Sequence, residues 1–139
     1  MPALFYLDAS ALVKLVRDEA ESSALGAYLD GADLLSAELV HTEVPRAVRR
    51  ATADDATLPH EELIAKASAV VSACALVPCD EALLIVAGAL DEPRLRALDA
   101  IHVAAAAAVS PIDAFVTYDA RQGAAARLAG LRVVAPGAS

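Results

Sequence analysis

Short apolar segments alternate along this chain with long alanine-rich ones, and this alternation most limits the folds it can adopt. The apolar segments predict strands over residues 3–7, 33–37, 76–79, 114–118 and 131–134. The segments between them have helical spacing and predict helices over residues 10–16, 38–53, 61–75, 81–90, 96–109 and 121–129. Strands that are apolar throughout and separated by helices indicate an α/β fold, with a parallel sheet covered on both faces.

The composition fits one compact domain. A chain of 139 residues can bury a core without disulfides. Hydrophobic residues make up 58% of it, but 35 residues are alanine, which is only weakly apolar. The longest apolar stretch, residues 100–116, is interrupted by His102, Pro111 and Asp113, so no membrane-spanning helix is expected. Residues 1–8 lack the basic segment and unbroken apolar run of a signal peptide, which predicts a cytoplasmic protein.

The charge balance limits the possible partners. Nineteen acidic residues against eleven basic ones give a formal net charge of −8. A polyanionic substrate would therefore need a metal ion or a local basic patch to bind. Cys74 and Cys79 have no second Cys or His pair nearby, so we expect buried thiols and no zinc site.

Two acidic residues directly follow predicted strands. Asp8 ends the first apolar segment and Asp119 ends the one over residues 114–118. Ligands of open parallel sheets bind at the carboxyl ends of the strands, so both are candidate functional residues. Each also precedes a predicted helix and could be its N-cap, a role that Ser10 could equally fill in the first helix.

Two further acids lie inside predicted helices among apolar neighbours. Asp is a poor mid-helix residue and is seldom buried unpaired, so Asp99 needs a compensating group. His102, three residues later, could ligate a metal with it, orient it, or serve as a hydrogen-bonded partner. Glu43 could form a salt bridge with Arg46. Pro45 should kink this helix or displace its boundary, which affects where Glu43 points.

A pocket that gathered four carboxylates would need a cation. Like charges about 4 Å apart cost on the order of 4 kcal/mol at an effective dielectric constant of about 20. Oxygen ligands select a hard ion such as Mg²⁺ or Mn²⁺. Such an ion can generate hydroxide and neutralise a scissile phosphate, so a phosphodiester is the expected substrate.

Four motifs in order resemble those of PIN-domain ribonucleases, specifically the VapC toxins of bacterial toxin–antitoxin pairs. The motifs are Leu-Asp-Ala-Ser-Ala-Leu-Val-Lys at 7–14, Thr-Glu-Val at 42–44, Leu-Asp-Ala-Ile-His-Val-Ala at 98–104 and Phe-Val-Thr-Tyr-Asp at 115–119. Each motif alone is weak. Their order and spacing, in a chain of this length, extend the resemblance over nearly all of the sequence.

The resemblance implies a single PIN domain over residues 1–139, folded as a three-layer α/β/α sandwich with a central parallel sheet. It also implies roles for particular residues. Asp8, Glu43 and Asp99 would hold Mg²⁺ or Mn²⁺, with Asp119 as a fourth acid. The hydroxyls of Ser10 and Thr117 would orient an acid or a metal-bound water.

A cationic rim around the acids is expected from the basic residues near them in sequence. These are Lys14, Arg17, Arg46, Arg49, Arg50 and Arg121. We predict RNA contacts for Lys14, Arg46 and Arg121. Solvated helix faces are the alternative for each of them.

We predict that a metal-activated water hydrolyses RNA and leaves a 3′-hydroxyl and a 5′-phosphate. The resemblance further implies a VapB-type antitoxin that blocks the site, a toxin homodimer and a hetero-oligomer of toxin with antitoxin. The acidic charge of the chain suits a basic antitoxin segment. One alternative is a catalytically idle PIN domain that binds RNA or a protein. A phosphatase of the haloacid dehalogenase type would need an acid where this chain has Ser10.

Overall fold

The computed structural model describes residues 1–139 and contains five strands and seven helices. In chain order these are β1 (Leu4–Leu7), α1 (Ala9–Val16), α2 (Ser22–Leu29), β2 (Asp33–Ala37), α3 (Val40–Asp54), α4 (His60–Ser72), β3 (Ala75–Val77), α5 (Glu81–Gly88), α6 (Ala97–Ala108), β4 (Ala114–Val116), α7 (Ala120–Leu128) and β5 (Val133–Val134). The strands and helices therefore alternate much as the apolar pattern predicts.

All five strands are parallel and form one sheet in the order β3-β2-β1-β4-β5. Tyr6 of β1 lies opposite Leu35 of β2 on one side and Phe115 of β4 on the other. The chain builds β2 and β3 outward on one side of β1, and then β4 and β5 on the other. The carboxyl ends of β1 and β4 therefore flank a topological switch point, where open α/β sheets bind ligands.

Helices cover both faces of the sheet. Phe5 and Leu7 of β1 pack into one core with residues of α1, α2, α3 and α4. Tyr6 points to the opposite face and packs with residues of α5, α6 and α7. Its ring stacks on Phe115 with ring centroids 5.3 Å apart. The predicted three-layer α/β/α sandwich with a central parallel sheet is confirmed.

The structure differs from the sequence predictions at α2 and at Pro45. The sequence predicted no element between residues 17 and 32, yet Leu25 and Leu29, one helical turn apart, are buried and dock α2. Pro45 neither ends α3 nor displaces its boundary, because the helix runs through it to Asp54. Proline removes one backbone donor, and burial of Val44 and Val48 holds the helix on the sheet around it.

Several smaller features complete the description of the fold. Asp80 is the N-cap of α5 and accepts a hydrogen bond from Leu83 N at 2.9 Å. Gly130 follows α7 with a φ of 86°, as a glycine at a helix end does. Cys74 and Cys79 are free thiols that are half-buried, where full burial was expected. No helix has the combined length and hydropathy needed to cross a membrane.

Candidate active site

Asp8 lies at the carboxyl end of β1 and is almost fully buried, with 2% of its surface exposed. Its Oδ1 accepts hydrogen bonds from Ser10 Oγ at 2.6 Å and from Ala11 N at 3.0 Å, and its Oδ2 accepts one from Thr117 Oγ1. Asp8 is thus the N-cap of α1. Burial raises the pKa of this carboxyl, and the two hydroxyl donors oppose that rise.

Hydroxyl groups connect Asp8 to the end of β4. Ser10 Oγ accepts a hydrogen bond from Tyr118 N at 2.9 Å, and Thr117 Oγ1 accepts one from Asp119 N at 3.0 Å. Asp119 is exposed and caps α7 through Gln122 N at 3.0 Å. The two strand ends that flank the switch point therefore form one hydrogen-bonded unit.

Glu43 lies in the first turn of α3 and has a histidine partner. His102 Nε2 is 2.7 Å from Glu43 Oε1, and His102 Nδ1 is 2.7 Å from the hydroxyl of Tyr6. His102 is 1% exposed. Glu43 forms no salt bridge with Arg46, and His102 makes no hydrogen bond with Asp99. The histidine is thus a hydrogen-bonded partner, but of Glu43 and Tyr6.

Asp99 lies in the first turn of α6 and is partly buried. Its backbone carbonyl accepts a hydrogen bond from Gln122 Nε2 at 3.2 Å, which connects α6 to α7. Burial raises the pKa of the Asp99 carboxyl, and the negative charges of Asp119 and Glu43 raise it further. Asp119 and Glu43 therefore both lie within electrostatic reach of Asp99.

A cleft of about 580 Å³ opens between α1, α3 and the start of α6. The charged and aromatic side chains that line it are Lys14, Glu19, Glu43, Arg46, Arg50 and Tyr118. The other three acids do not line it, but each is next in sequence to a residue that does: Ala9, Leu98 or Tyr118. The cleft thus lies beside the acids and presents Glu43 directly.

The basic side chains near this cleft differ in whether a carboxylate pairs with them. Lys14 Nζ is 3.1 Å from Glu19 Oε2 and 2.9 Å from Glu21 Oε2, and it lies 4.8 Å from the centre of the Tyr118 ring. Arg46 and Arg50 are exposed and have no carboxylate within 4.0 Å. Arg121 is exposed on α7 and does not line the cleft.

Comparison with known proteins assigns the family. The PIN domain family matches residues 5–128 of the chain. Ribonuclease VapC35 of Mycobacterium tuberculosis strain H37Rv is 38% identical over 140 residues, which cover 96% of this chain and 98% of the relative. This chain is a PIN-domain protein of the VapC family. The resemblance seen in the four motifs is therefore confirmed.

Two other M. tuberculosis proteins align with this VapC-family chain over nearly its whole length. Ribonuclease VapC46 of strain H37Rv is 38% identical over 136 residues, covering 96% of this chain and 98% of the relative. Ribonuclease VapC47 of strain CDC 1551 / Oshkosh is 33% identical over 141 residues, covering 97% and 98%. The similarity is thus not confined to the motifs.

The donor set of this VapC-family site suits a hard divalent cation in its chemistry. All four predicted ligands are carboxylates. Burial raises the pKa of Asp8 and Asp99, and the negative charges of Asp119 and Glu43 raise that of Asp99 further, a cost that a cation would relieve. No three His, Cys, Asp or Glu side chains lie close enough together to hold an ion. Asp8 is bound by its hydroxyl donors and Glu43 by His102, so the acids do not form a preassembled cage.

Sequence reasoning missed the contributions of Tyr6 and Arg50 to this site. Tyr6 precedes Asp8 by two residues, but nothing in the sequence pairs its hydroxyl with a histidine 96 positions later. Arg50 was grouped with the other basic residues of α3. Its spacing of seven residues from Glu43 is two helical turns, which places both on one face and could have singled it out.

Proposed function

We propose that this chain is an endoribonuclease toxin that depends on Mg²⁺ or Mn²⁺ and is neutralised by a VapB-type antitoxin. The names of its M. tuberculosis relatives support ribonuclease activity. The observation that carries the proposal is the buried Asp8 at the switch point, next to a cleft that holds Glu43 and two unpaired arginines. In this proposal residues 1–139 form a single PIN domain that acts in the cytoplasm.

Four acids are proposed to hold the ion: Asp8, Glu43, Asp99 and Asp119. When bound, such an ion would supply Lewis acidity toward a phosphodiester and lower the pKa of water. Asp8 is held in one orientation by Ser10 and Thr117, which leaves its charge close to the cleft wall. Glu43 presents an oxygen that no protein group binds, because only its Oε1 has a partner. Cleavage is expected to leave a 3′-hydroxyl and a 5′-phosphate.

Arg46 and Arg50 are the proposed contacts for the RNA backbone. Both line the cleft on the same face of α3 as Glu43, and neither is neutralised by a carboxylate. Guanidinium groups match phosphate oxygens well. Lys14 faces the same cleft but already pairs with two glutamates, so its contribution should be smaller. Arg121 would contact only RNA that extends beyond the cleft.

The decisive experiment is cleavage of total cellular RNA by the purified chain, free of antitoxin. We expect discrete products with Mg²⁺ or Mn²⁺ that disappear with EDTA. Asp99→Asn should abolish them, whereas Asp91→Asn, an exposed acid that lines no part of the cleft, should not. If Asp99→Asn cleaved as well as the wild type, the proposed acids would be wrong.

One observation favours an idle PIN domain that only binds RNA or protein. The four acids do not converge into an ion-binding cage. Turnover distinguishes the two functions: an idle domain would bind RNA through Arg46 and Arg50 and leave it intact with either ion. RNA binding without products, in both wild type and Asp99→Asn, would support this second function.

The proposed partners are RNA, a second copy of the chain and the antitoxin. The net charge of −8 favours a basic antitoxin segment. Inhibition by such a segment should be competitive with RNA and should weaken with salt. Light scattering measures the homodimer directly, as a mass twice the 14.2 kDa of the chain. A mass of 14.2 kDa at micromolar concentration would rule out a stable dimer.

A further inference from the structure

Three side chains form a continuous hydrogen-bonded line from the centre of the sheet to the cleft. Tyr6 in β1 contacts His102 in α6, which contacts Glu43 in α3, and both contacts measure 2.7 Å. Tyr6 is 0% exposed, His102 is 1% exposed, and the Glu43 side chain is 18% exposed. α6 and α3 belong to opposite helical layers, so the line connects the two layers at the site.

The partners leave one arrangement of protons on the neutral imidazole. An ionised carboxylate can only accept, so the Nε2 of His102 must carry the hydrogen that faces Glu43. Nδ1 is then unprotonated and accepts from the phenol of Tyr6. A phenol hydroxyl loses its proton only in strongly basic solution, so Tyr6 has a hydrogen to donate to Nδ1. The opposite tautomer would set a bare Nε2 against the carboxylate.

We propose that His102, held by Tyr6 in the Nε2–H tautomer, is a positioning residue that fixes Glu43 for RNA cleavage. The inference rests on the proposed function, since it gives Glu43 a role there. Oε1 of Glu43 is bound to the histidine, while Oε2 accepts no hydrogen bond from the protein and remains available at the cleft.

His102 also keeps Glu43 and Arg46 apart. These two residues are three positions apart on one helix, a spacing at which opposite charges commonly pair. Here Glu43 pairs with the histidine, and Arg46 stays exposed with no carboxylate partner. The line from Tyr6 thus leaves one free negative oxygen and one free positive group in the same cleft. In the proposed function the free oxygen of Glu43 would help to hold the metal ion, and Arg46 would contact a phosphate of the RNA.

The first test is NMR of the histidine ring nitrogens, which needs neither metal nor RNA. The chain has only three histidines, so the signals are few. We expect His102 to show a protonated Nε2 and an unprotonated Nδ1. Tyr6→Phe should shift the Nδ1 signal and leave His41 and His60 unchanged. A protonated Nδ1, or a His102 ring that does not respond to Tyr6→Phe, would overturn the inference.

The second test compares two amide replacements of the same ring. In His102→Gln the amide nitrogen falls near the Nε2 position and can donate to Glu43. In His102→Asn it falls nearer Nδ1 and cannot reach. We expect kcat to fall about tenfold or more in the Asn variant with a smaller change in KM, and Gln to restore most of the loss. His60→Asn, whose ring bonds Thr52, is the matched control.

Calorimetry with Mg²⁺ alone and melting temperatures complete the design. Weaker Mg²⁺ binding in His102→Asn than in His102→Gln, at similar melting temperatures, supports positioning. If kcat falls equally in both variants, and the melting temperature falls with it, His102 has only a structural role. If kcat falls in neither variant, the proposal is also contradicted. If the wild type neither cleaves RNA nor binds Mg²⁺, the proposed function fails. The NMR result then decides separately whether the Tyr6–His102–Glu43 line exists.

Discussion

The site has two halves that are held in different ways. The strand half consists of Asp8, Ser10, Thr117 and Asp119, at the ends of β1 and β4. The helix half consists of Glu43, Asp99, His102 and the arginines of α3. In the strand half, hydroxyl and backbone donors at the ends of β1 and β4 satisfy the carboxylate of Asp8, and it is buried. In the helix half, Glu43 depends on one contact from the other helical layer, and the cations beside it are unpaired.

The difference shows which side chains the fold holds rigidly and which it leaves free to contact a ligand. Parallel strand ends are fixed by the sheet, so an acid there can be buried and bound by donors at the same edge of the sheet. A glutamate on a helix has three side-chain torsions to restrain, and its partner must come from elsewhere. Substitutions in the strand half should therefore reduce activity strongly. Substitutions in the helix half should instead change RNA binding and the orientation of Glu43.

The largest effect should come from removing a charge in the strand half while keeping its shape. Asp8→Asn preserves the N-cap, since Asn caps helices about as well as Asp. We expect RNA cleavage to fall by about 10²- to 10⁴-fold with little change in melting temperature. Asp8→Ala should lose the same activity and also about 1 kcal/mol of stability, because the cap is gone. Cleavage rates and thermal melts measure both. An active Asp8→Asn would contradict the proposed role of this half.

The next effect should come from the hydroxyls that hold Asp8. Thr117→Val and Ser10→Ala each leave an oxygen of a buried carboxylate with one donor fewer. We expect cleavage to fall about 10- to 100-fold, and stability to fall by about 1–3 kcal/mol. Thr57→Val, in a loop outside the cleft, is the control. Loss of stability at full activity would make these hydroxyls purely structural.

The two halves also differ in how well the sequence predicts them. Asp8 and Asp119 follow apolar segments directly, so local sequence and the rules of parallel sheets suffice to place them at one edge. The sheet, its layers and the family motifs were predictable in the same way. The partner of Glu43 was not, because Arg46 is nearer in sequence and His102 is 59 residues away. Only the packing of α3 and α6 across the sheet decides between them.

The same limit explains why the sequence missed α2 and why α3 continues through Pro45. α2 has only eight residues, so its helical pattern is too short to read, although burial of Leu25 and Leu29 docks it. Local chemistry alone predicts that Pro45 kinks α3 or displaces its boundary, and the boundary is not displaced. Tertiary burial of Val44 and Val48 outweighs that preference here. Long-range packing decides both cases, and composition and spacing do not report it.

A smaller effect should separate the cations of the helix half. Arg46→Gln and Arg50→Gln should each raise KM several-fold with kcat little changed, and each should reduce the slope of log affinity against log salt by about 0.7. Arg49→Gln is the matched control, since Arg49 is exposed on the same helix but does not line the cleft. Lys14→Gln should change KM less, because Lys14 already pairs with two glutamates. Equal effects of Arg49→Gln and Arg50→Gln would mean that an arginine lining the cleft contributes no more to RNA binding than one outside it.

The smallest effect should measure the electrostatic link between the two halves. Burial is the largest cause of the raised pKa of Asp99. The negative charge of Asp119 raises this pKa further, and the positive charge of Arg96 lowers it. Carbon-13 NMR titration of the metal-free chain should therefore give a lower pKa for Asp99 in Asp119→Asn and a higher one in Arg96→Gln. Opposite shifts at similar melting temperatures would identify charge as the cause.

The sign of the stability change follows from the same shift. A carboxyl whose pKa is raised on folding holds its proton to higher pH in the folded chain than in the unfolded chain. Its contribution is therefore favourable below the ordinary aspartate pKa and is lost as the pH rises through the folded value. Asp119→Asn should reduce this loss and Arg96→Gln should increase it, as measured by urea unfolding across that pH range. Identical pH profiles in the two variants would mean that Asp99 responds to burial alone, and that the two halves are electrostatically independent.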